Sequence, residues 1–332
     1  MPSYKRLEVH TKSSDFRAAT HIVETTELPK AHDNSIVVKN FYVGINATDI
    51  NISNGMYTGK QPPPFGCGLE AVGVVEDVGR HVVDLKKGDA VAYRKLGAFA
   101  EYNEVDAAMA IKVPHPVPEV LPLIVSGSSA SIALEQVGKM KSNETVLVTA
   151  AAGGTGQFVV QLAKLAGNHV IGTTSSDTKA ALLKSIGCDR VINYNTENVN
   201  HVLKEEYPDG VNLVFESVGG DMLQTAVNNV AIKGRIIAFG YISCYHGEKK
   251  NFTATELVSI LLKKSALLQG FFSSHYHDCY HRHMQQLLKL IEDKQLVPGI
   301  DSIKYEGLSS IPDAVDHMYS RKNMGKIVVK LA

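Results

Sequence analysis

Residues Glu144 to Gly167 read ETVLVTAAAGGTGQFVVQLAKLAG, and no other stretch limits the possible folds as much. Thr145 to Ala150 is a short β-branched and apolar run of the kind that forms a strand buried on both faces. Gly153, Gly154 and Gly156 turn the chain without side-chain obstruction, and Phe158, Val159, Leu162, Ala163, Leu165 and Ala166 then recur at helical spacing. A helix opening at such a turn directs unpaired backbone N–H groups and the positive end of its dipole at whatever lies above it. That favours a phosphate. The motif fits G-x-G-x-x-G imperfectly, because in Ala151-Ala152-Gly153-Gly154-Thr155-Gly156 an alanine holds the first glycine position. Glycine turns between strand and helix also serve plain packing, so the flanking residues must decide.

From Glu144 onward strand and helix patterns alternate. Strands are expected at Thr145 to Ala150, His169 to Thr174, Arg190 to Tyr194, Val211 to Ser217, Gly234 to Gly240 and Ala266 to Phe271. Helices fill the gaps near 157 to 166, 178 to 186, 197 to 207, 220 to 230 and 255 to 264. This alternation predicts an α/β fold, a doubly wound parallel sheet of Rossmann type with ligands across the carboxyl ends of its strands. Residues 1 to about 125 instead show short alternating runs such as Ser35 to Tyr42 and Ala71 to Val78, broken by Gly, Pro and Asp, which predicts a β-rich module. Prolines between Pro114 and Pro122 mark the junction, and a helical pattern begins at Ser126. Beyond Phe272 come a helix over His281 to Lys294 and a strand-like tail, Gly325 to Leu331, expected to fold back onto the first module.

The expected second strand of the sheet runs out into Thr173-Thr174-Ser175-Ser176, with Lys179 behind it and Tyr194 ending the next strand. Dinucleotide folds selective for NAD place a carboxylate there for the ribose 2′-hydroxyl. Hydroxyls and a cation suit a 2′-phosphate instead, so the expected cofactor is NADPH. Asp177 reads as the N-cap of a helix starting near Thr178.

Lys plus Arg and Asp plus Glu number 34 each in 332 residues, so no global field attracts nucleic acid or an anionic membrane, and a small-molecule partner is expected. Cys67, Cys188, Cys244 and Cys279 lie far apart without a CxxC pair, which argues against a structural zinc and for a reducing compartment. The N-terminus lacks an apolar signal core, no run approaches bilayer-spanning length, and Lys330-Leu331-Ala332 is not the peroxisomal S-K-L, so the cytosol is expected. His275, His277, Cys279, His281 and His283 scatter around a helix axis and read as exposed helix-entry residues in preference to metal ligands. The strand near Ala266 to Phe271 falls at the sheet edge, which predicts a homodimer.

Gly44-Ile45-Asn46-Ala47-Thr48-Asp49-Ile50-Asn51, Val148 to Gln157, Ile192-Asn193-Tyr194, Glu216-Ser217-Val218-Gly219-Gly220, Gln269-Gly270-Phe271-Phe272 and Asn323 to Val329 together resemble one family over the whole chain. It is the zinc-free quinone oxidoreductase and enone reductase branch of the medium-chain dehydrogenase/reductase superfamily. The resemblance implies a GroES-like catalytic domain over 1–125, completed by 275–332, and a Rossmann NADPH-binding domain over 126–274. Zinc-dependent relatives carry cysteine where Asn46 stands and histidine where Leu69 stands, so no metal is expected. By matching position, Thr155, Ser175, Lys179, Tyr194, Ser217, Phe239, Tyr245, Phe271, Phe272, Ser273 and Asn323 would line the cofactor with Gly153, Gly154 and Gly156. Tyr245 is placed near the nicotinamide ribose. Asn46 and Tyr57 are candidate polar contacts to substrate, with Met56, Leu69 and Tyr276 as apolar walls. The implied activity is NADPH-dependent reduction of α,β-unsaturated ketones, with 15-oxoprostaglandins reduced at the 13,14 bond.

Overall fold

The structure, a computed structural model, describes residues 3–245 and 253–332. Contacts divide the chain into two units, 1–125 with 298–332, and 126–297. The chain returns to the first unit after residue 297, where the expectation was 275. Helix His277–Glu292 stays in the second unit because it packs on the helical segment Ser128–Ile132 of that unit. Arg282 pairs there with Glu135 at 2.6 Å, and His283 Nδ1 lies 2.7 Å from Ser131 Oγ.

The second unit is a six-stranded parallel sheet. Its spatial order is Arg190–Asn193, His169–Thr174, Thr145–Val148, Val211–Glu216, Val230–Ala238 and Leu267–Gly270. Chain order reverses on either side of Thr145–Val148, so the crevice at the carboxyl end of that strand is the topological switch point of the fold. The core on one face joins Leu147, Ile171, Ile192 and Val214 to Leu203, Ala226 and Val227 of the crossover helices. Most expected elements fall within one or two residues of their places. The fifth strand begins four residues early, at Val230, because it pairs with Val211 before a register shift and the left-handed Lys233 (φ 61°) carry it on to Arg235.

The first unit is antiparallel for the most part. A seven-stranded sheet is built around Ser35–Gly44, which pairs with Glu70–Val78, Tyr102–Asp106 and the tail strand Val328–Lys330. A three-stranded sheet centres on Tyr4–Val9. The tail does fold back, with Val328 opposite Gly44, and that register brings Lys326 to the base of the loop carrying Asn46.

Contrary to the sequence expectation, one run does reach bilayer-spanning length. Pro118–Val137 is a 20-residue helix long and apolar enough to cross a bilayer, but 78% of its apolar window is buried inside the protein, as in a core helix.

Candidate functional site

In the second unit the strand Thr145–Val148 leads through the glycine turn into helix Gly156–Leu165. Ala150 adopts a left-handed backbone (φ 47°), and the N–H groups of Ala150 and Ala151 go to Thr173 Oγ1 (3.3 Å) and Thr173 O (3.1 Å). Ala151 is thereby fully buried, which explains how alanine serves at the first glycine position. Gly153 N–H closes the turn onto Ala150 O at 3.0 Å, and Gln157 Nε2 donates to Ala152 O at 3.0 Å. Among the described residues the N–H groups of Gly154, Thr155 and Gly156 find no acceptor. No side chain caps the helix at Thr155. A row of unanswered amides at a helix N-terminus is a site for an anion.

Gly156 itself has no room for a side chain. A Cβ there would lie 2.5 Å from Ala150 O and 2.6 Å from Ala151 O, both main-chain atoms.

The residues expected to hold a 2′-phosphate separate into two sets. Thr173 and Thr174 are buried in the sheet and do not face out. Ser175 and Tyr194 follow the carboxyl ends of the adjacent strands His169–Thr174 and Arg190–Asn193, tied by Tyr194 N–H to Thr174 O (3.0 Å) and Asn195 Nδ2 to Ser175 O (2.7 Å), and Lys179 lies in the first turn of the helix that follows the first of them. Ser176, not Asp177, caps helix Asp177–Ser185, its Oγ accepting the Lys179 N–H. Asp177 is the first helical residue and its carboxylate accepts from Asn193 Nδ2 at 2.9 Å.

At the carboxyl ends of the other strands an aromatic row forms. Phe239 packs on Phe215 (centroids 4.6 Å) and stacks on Phe271 (5.5 Å), which stacks on Tyr276 (5.2 Å). The ring of Phe239 therefore serves packing within the row. Tyr245 is 8% exposed with its ring edge-on to Tyr241, Phe272 is exposed, and Ser217 is held by Thr149 through Ser217 N–H to Oγ1 (2.9 Å) and Ser217 Oγ to O (3.3 Å). Ser273 opens the short turn leading into helix His277–Glu292.

In the first unit the loop Gly44 to Asn51 carries a buried polar knot. Asn46 Nδ2 donates to Glu70 Oε1 (3.0 Å) and Gly44 O (3.2 Å), while its Oδ1 accepts from Lys326 Nζ (2.7 Å). Both amide hydrogens of Asn46 are thus engaged within the protein. Lys326 and Glu70 form an ion pair, with side chains 2% and 0% exposed, and Glu70 Oε2 accepts the Val125 N–H at 2.9 Å. The Asn46 N–H goes to Asp49 Oδ2 at 2.8 Å. Burial raises the Asp49 carboxyl to about 7, against the opposing pull of that N–H and of Lys326. Sequence reading passed over Asp49, Glu70 and Lys326. Tyr57 is 39% exposed, Met56 is exposed, and Asn323 Nδ2 donates to Gly325 O at 3.1 Å.

Of the histidine cluster, His275, His277 and His281 are exposed as expected, but His283 is buried. Its burial holds the imidazole pKa below its ordinary value, and its hydrogen bond to Ser131 accounts for it structurally.

The family described as "Zinc-binding dehydrogenase" matches residues 154–293, and "Alcohol dehydrogenase GroES-like domain" matches 32–115. The chain is 47% identical to prostaglandin reductase-3 of Mus musculus, over 98% of this chain and 89% of that protein. It is 43% identical to a probable quinone oxidoreductase of Leishmania amazonensis, over 99% and 98% of the two chains. In three dimensions it is similar to Escherichia coli quinone oxidoreductase complexed with NADPH, with TM-score 0.86, 27% identity and coverage of 98% and 99%. Among the described residues the zinc in the family description finds no donor set. Asn46 and Leu69 offer an amide and an alkyl group, and no group of three or more His, Cys, Asp or Glu among the described residues could hold a metal.

Proposed function

This chain belongs to the medium-chain dehydrogenase/reductase superfamily, and on that premise we propose that it reduces the carbon–carbon double bond of α,β-unsaturated ketones with NADPH. The observation that carries this reading is the cradle of unanswered amides at Gly154 to Gly156, flanked by Ser175, Lys179 and Tyr194. These residues fit a dinucleotide with a 2′-phosphate: backbone N–H groups for the pyrophosphate, a hydroxyl and an ammonium for the extra charge. Bound NADPH supplies a hydride, and an enone suits it because the substrate's carbonyl takes up the negative charge that results. Ketones of the 15-oxoprostaglandin class are the proposed substrates, by likeness to the mouse relative.

For the chain's own part, Tyr245 and Ser217 order the cofactor in the second unit, and in the first unit Tyr57 is the side chain we assign to the substrate carbonyl. Asn46 has both donors engaged, by Glu70 and Gly44, and holds its own loop. Following NADPH absorbance with an enone, a quinone and an enoyl thioester in parallel tests the assignment. Fastest turnover with the enone is expected. Faster turnover of the quinone would move the substrate class toward that of the Leishmania relative, and no oxidation with any of the three would leave a binding protein without catalysis.

The cofactor preference has its own test. One charge-assisted contact is worth about 1.5 kcal/mol, so Lys179→Ala is expected to raise the KM for NADPH roughly tenfold more than that for NADH. Equal changes in the two constants would remove Lys179 from the 2′-phosphate.

We also propose a homodimer. The strand Leu267–Gly270 ends the sheet, and Leu267 on it is exposed. Val258 and Leu262, four residues apart on helix Ala254–Lys264, are exposed as well. An open strand edge beside an apolar helix face is suited to a second copy. Light scattering should give twice the 36.0 kDa chain mass, and Val258→Glu with Leu262→Glu should halve it. A wild-type monomer at micromolar concentration would rule the dimer out. All four cysteines are free thiols, which fits the cytosol proposed for the protein.

A further inference from the structure

We propose that Glu216 is a positioning residue of the cofactor site, whose buried carboxylate fixes the turn 217–219 and, through it, the loop that carries Phe239 and Tyr245. The inference rests on the NADPH reading of that site. Glu216 is 1% exposed at the carboxyl end of strand Val211–Glu216. Its Oε1 accepts the N–H groups of Val218 (2.8 Å) and Gly219 (3.1 Å), and Oε2 accepts Gly219 N–H at 3.0 Å. Thr149 Oγ1, 3.3 Å from Oε1, in turn accepts the Ser217 N–H. The main-chain oxygen of Glu216 takes the N–H groups of Phe239 (2.8 Å) and Gly240 (3.3 Å). One residue therefore ties together the ends of three neighbouring strands at the switch point, where the fold binds its ligand.

The turn then holds the loop. Ile242 N–H donates to Ser217 O (3.2 Å), while Ser243 N–H (3.0 Å) and Ser243 Oγ (2.7 Å) both donate to Val218 O. Ile242 to Cys244 forms the short helical turn that ends at Tyr245.

Burial penalises the charged form and raises the Glu216 pKa, opposed by the turn N–H groups and Thr149. What a carboxylate provides is two oxygens for convergent N–H donors. Glutamine matches the size but offers one oxygen and an NH2 group that faces a donor, so at least one turn N–H loses its acceptor.

The test is calorimetric titration of NADPH into wild type and Glu216→Gln, with thermal melts and steady-state kinetics alongside. The variant is expected to bind NADPH roughly tenfold more weakly, the cost of one lost charge-assisted hydrogen bond, while melting as cooperatively as wild type and keeping kcat at saturating cofactor closer to normal than KM. If wild type itself gives no heat, the NADPH reading falls and the proposal with it. If wild type binds and Glu216→Gln binds equally well, the positioning role alone is overturned; a lowered melting temperature with unchanged affinity overturns it too. Should Glu216→Gln not fold, Thr149→Val removes the hydroxyl between Glu216 and Ser217 and is read the same way, with weakened NADPH binding expected and unchanged binding decisive against.

Discussion

Gly156→Ala is expected to abolish NADPH binding at concentrations that saturate the wild type. The added methyl would sit 2.5 Å from Ala150 O, 2.6 Å from Ala151 O and 2.7 Å from Ala151 Cα. These are main-chain atoms of the turn itself, so no flexible side chain can swing aside. Relief requires the helix start to move off the strand end, which takes the N–H groups of Gly154, Thr155 and Gly156 out of convergence. Overpacking of this kind costs about 1–3 kcal/mol of stability. The larger loss falls on binding, because a pyrophosphate held by several amides loses more than one contact at a time, and a 100-fold loss corresponds to about 2.7 kcal/mol. Calorimetry on variant protein with a native circular-dichroism spectrum measures it. Wild-type affinity in Gly156→Ala would mean the pyrophosphate does not rest on this turn.

That glycine was legible in the sequence because its signal is local: an apolar run, a turn and a helical period within 24 residues. Much of the parallel sheet was legible for the same reason, since alternation of strand and helix is written in consecutive residues. Ala150 was not, because alanine rarely adopts positive φ and here it is held by bonds across the turn, its N–H to Thr173 Oγ1 and its carbonyl oxygen accepting the Gly153 N–H. Thr173 and Ser176 carried hydroxyls that looked available to a phosphate, yet one is consumed by the turn and the other by a helix cap. Glu216 left a faint trace, an acid followed at two and three residues by turn amides, readable only once Gly219 is known to be the N-cap of a helix. The knot around Asn46 left none. Lys326 lies 280 residues away along the chain, and only the antiparallel register of the tail strand brings it there.

That knot carries the second large effect: Lys326→Met is expected to destabilise the protein by about 3–5 kcal/mol, the cost of leaving a buried charge without its partner. Glu70 is 0% exposed and keeps only the Asn46 amide and the Val125 N–H when the ammonium is gone. Asn46 loses the donor to its Oδ1, so its amide is free to turn over. At roughly 2–4 °C per kcal/mol, the melting temperature should fall by about 10 °C. Asp49 gives the change a pH signature. Its carboxyl titrates near 7 in the folded protein and lower when unfolded, so its stabilising share is full below about 4 and is lost as pH rises to about 7. Lys326 is one of the groups holding that carboxyl down, so without it the loss should extend to higher pH. Glu70→Gln combined with Lys326→Met separates a charge effect from a packing effect, because a buried pair replaced by neutral groups of similar size is often close to neutral. Recovery of most of the lost stability in the double variant is expected. A double variant no more stable than Lys326→Met alone would show that the lysine acts through its packing, and that the first unit does not depend on a resident cation beside Glu70.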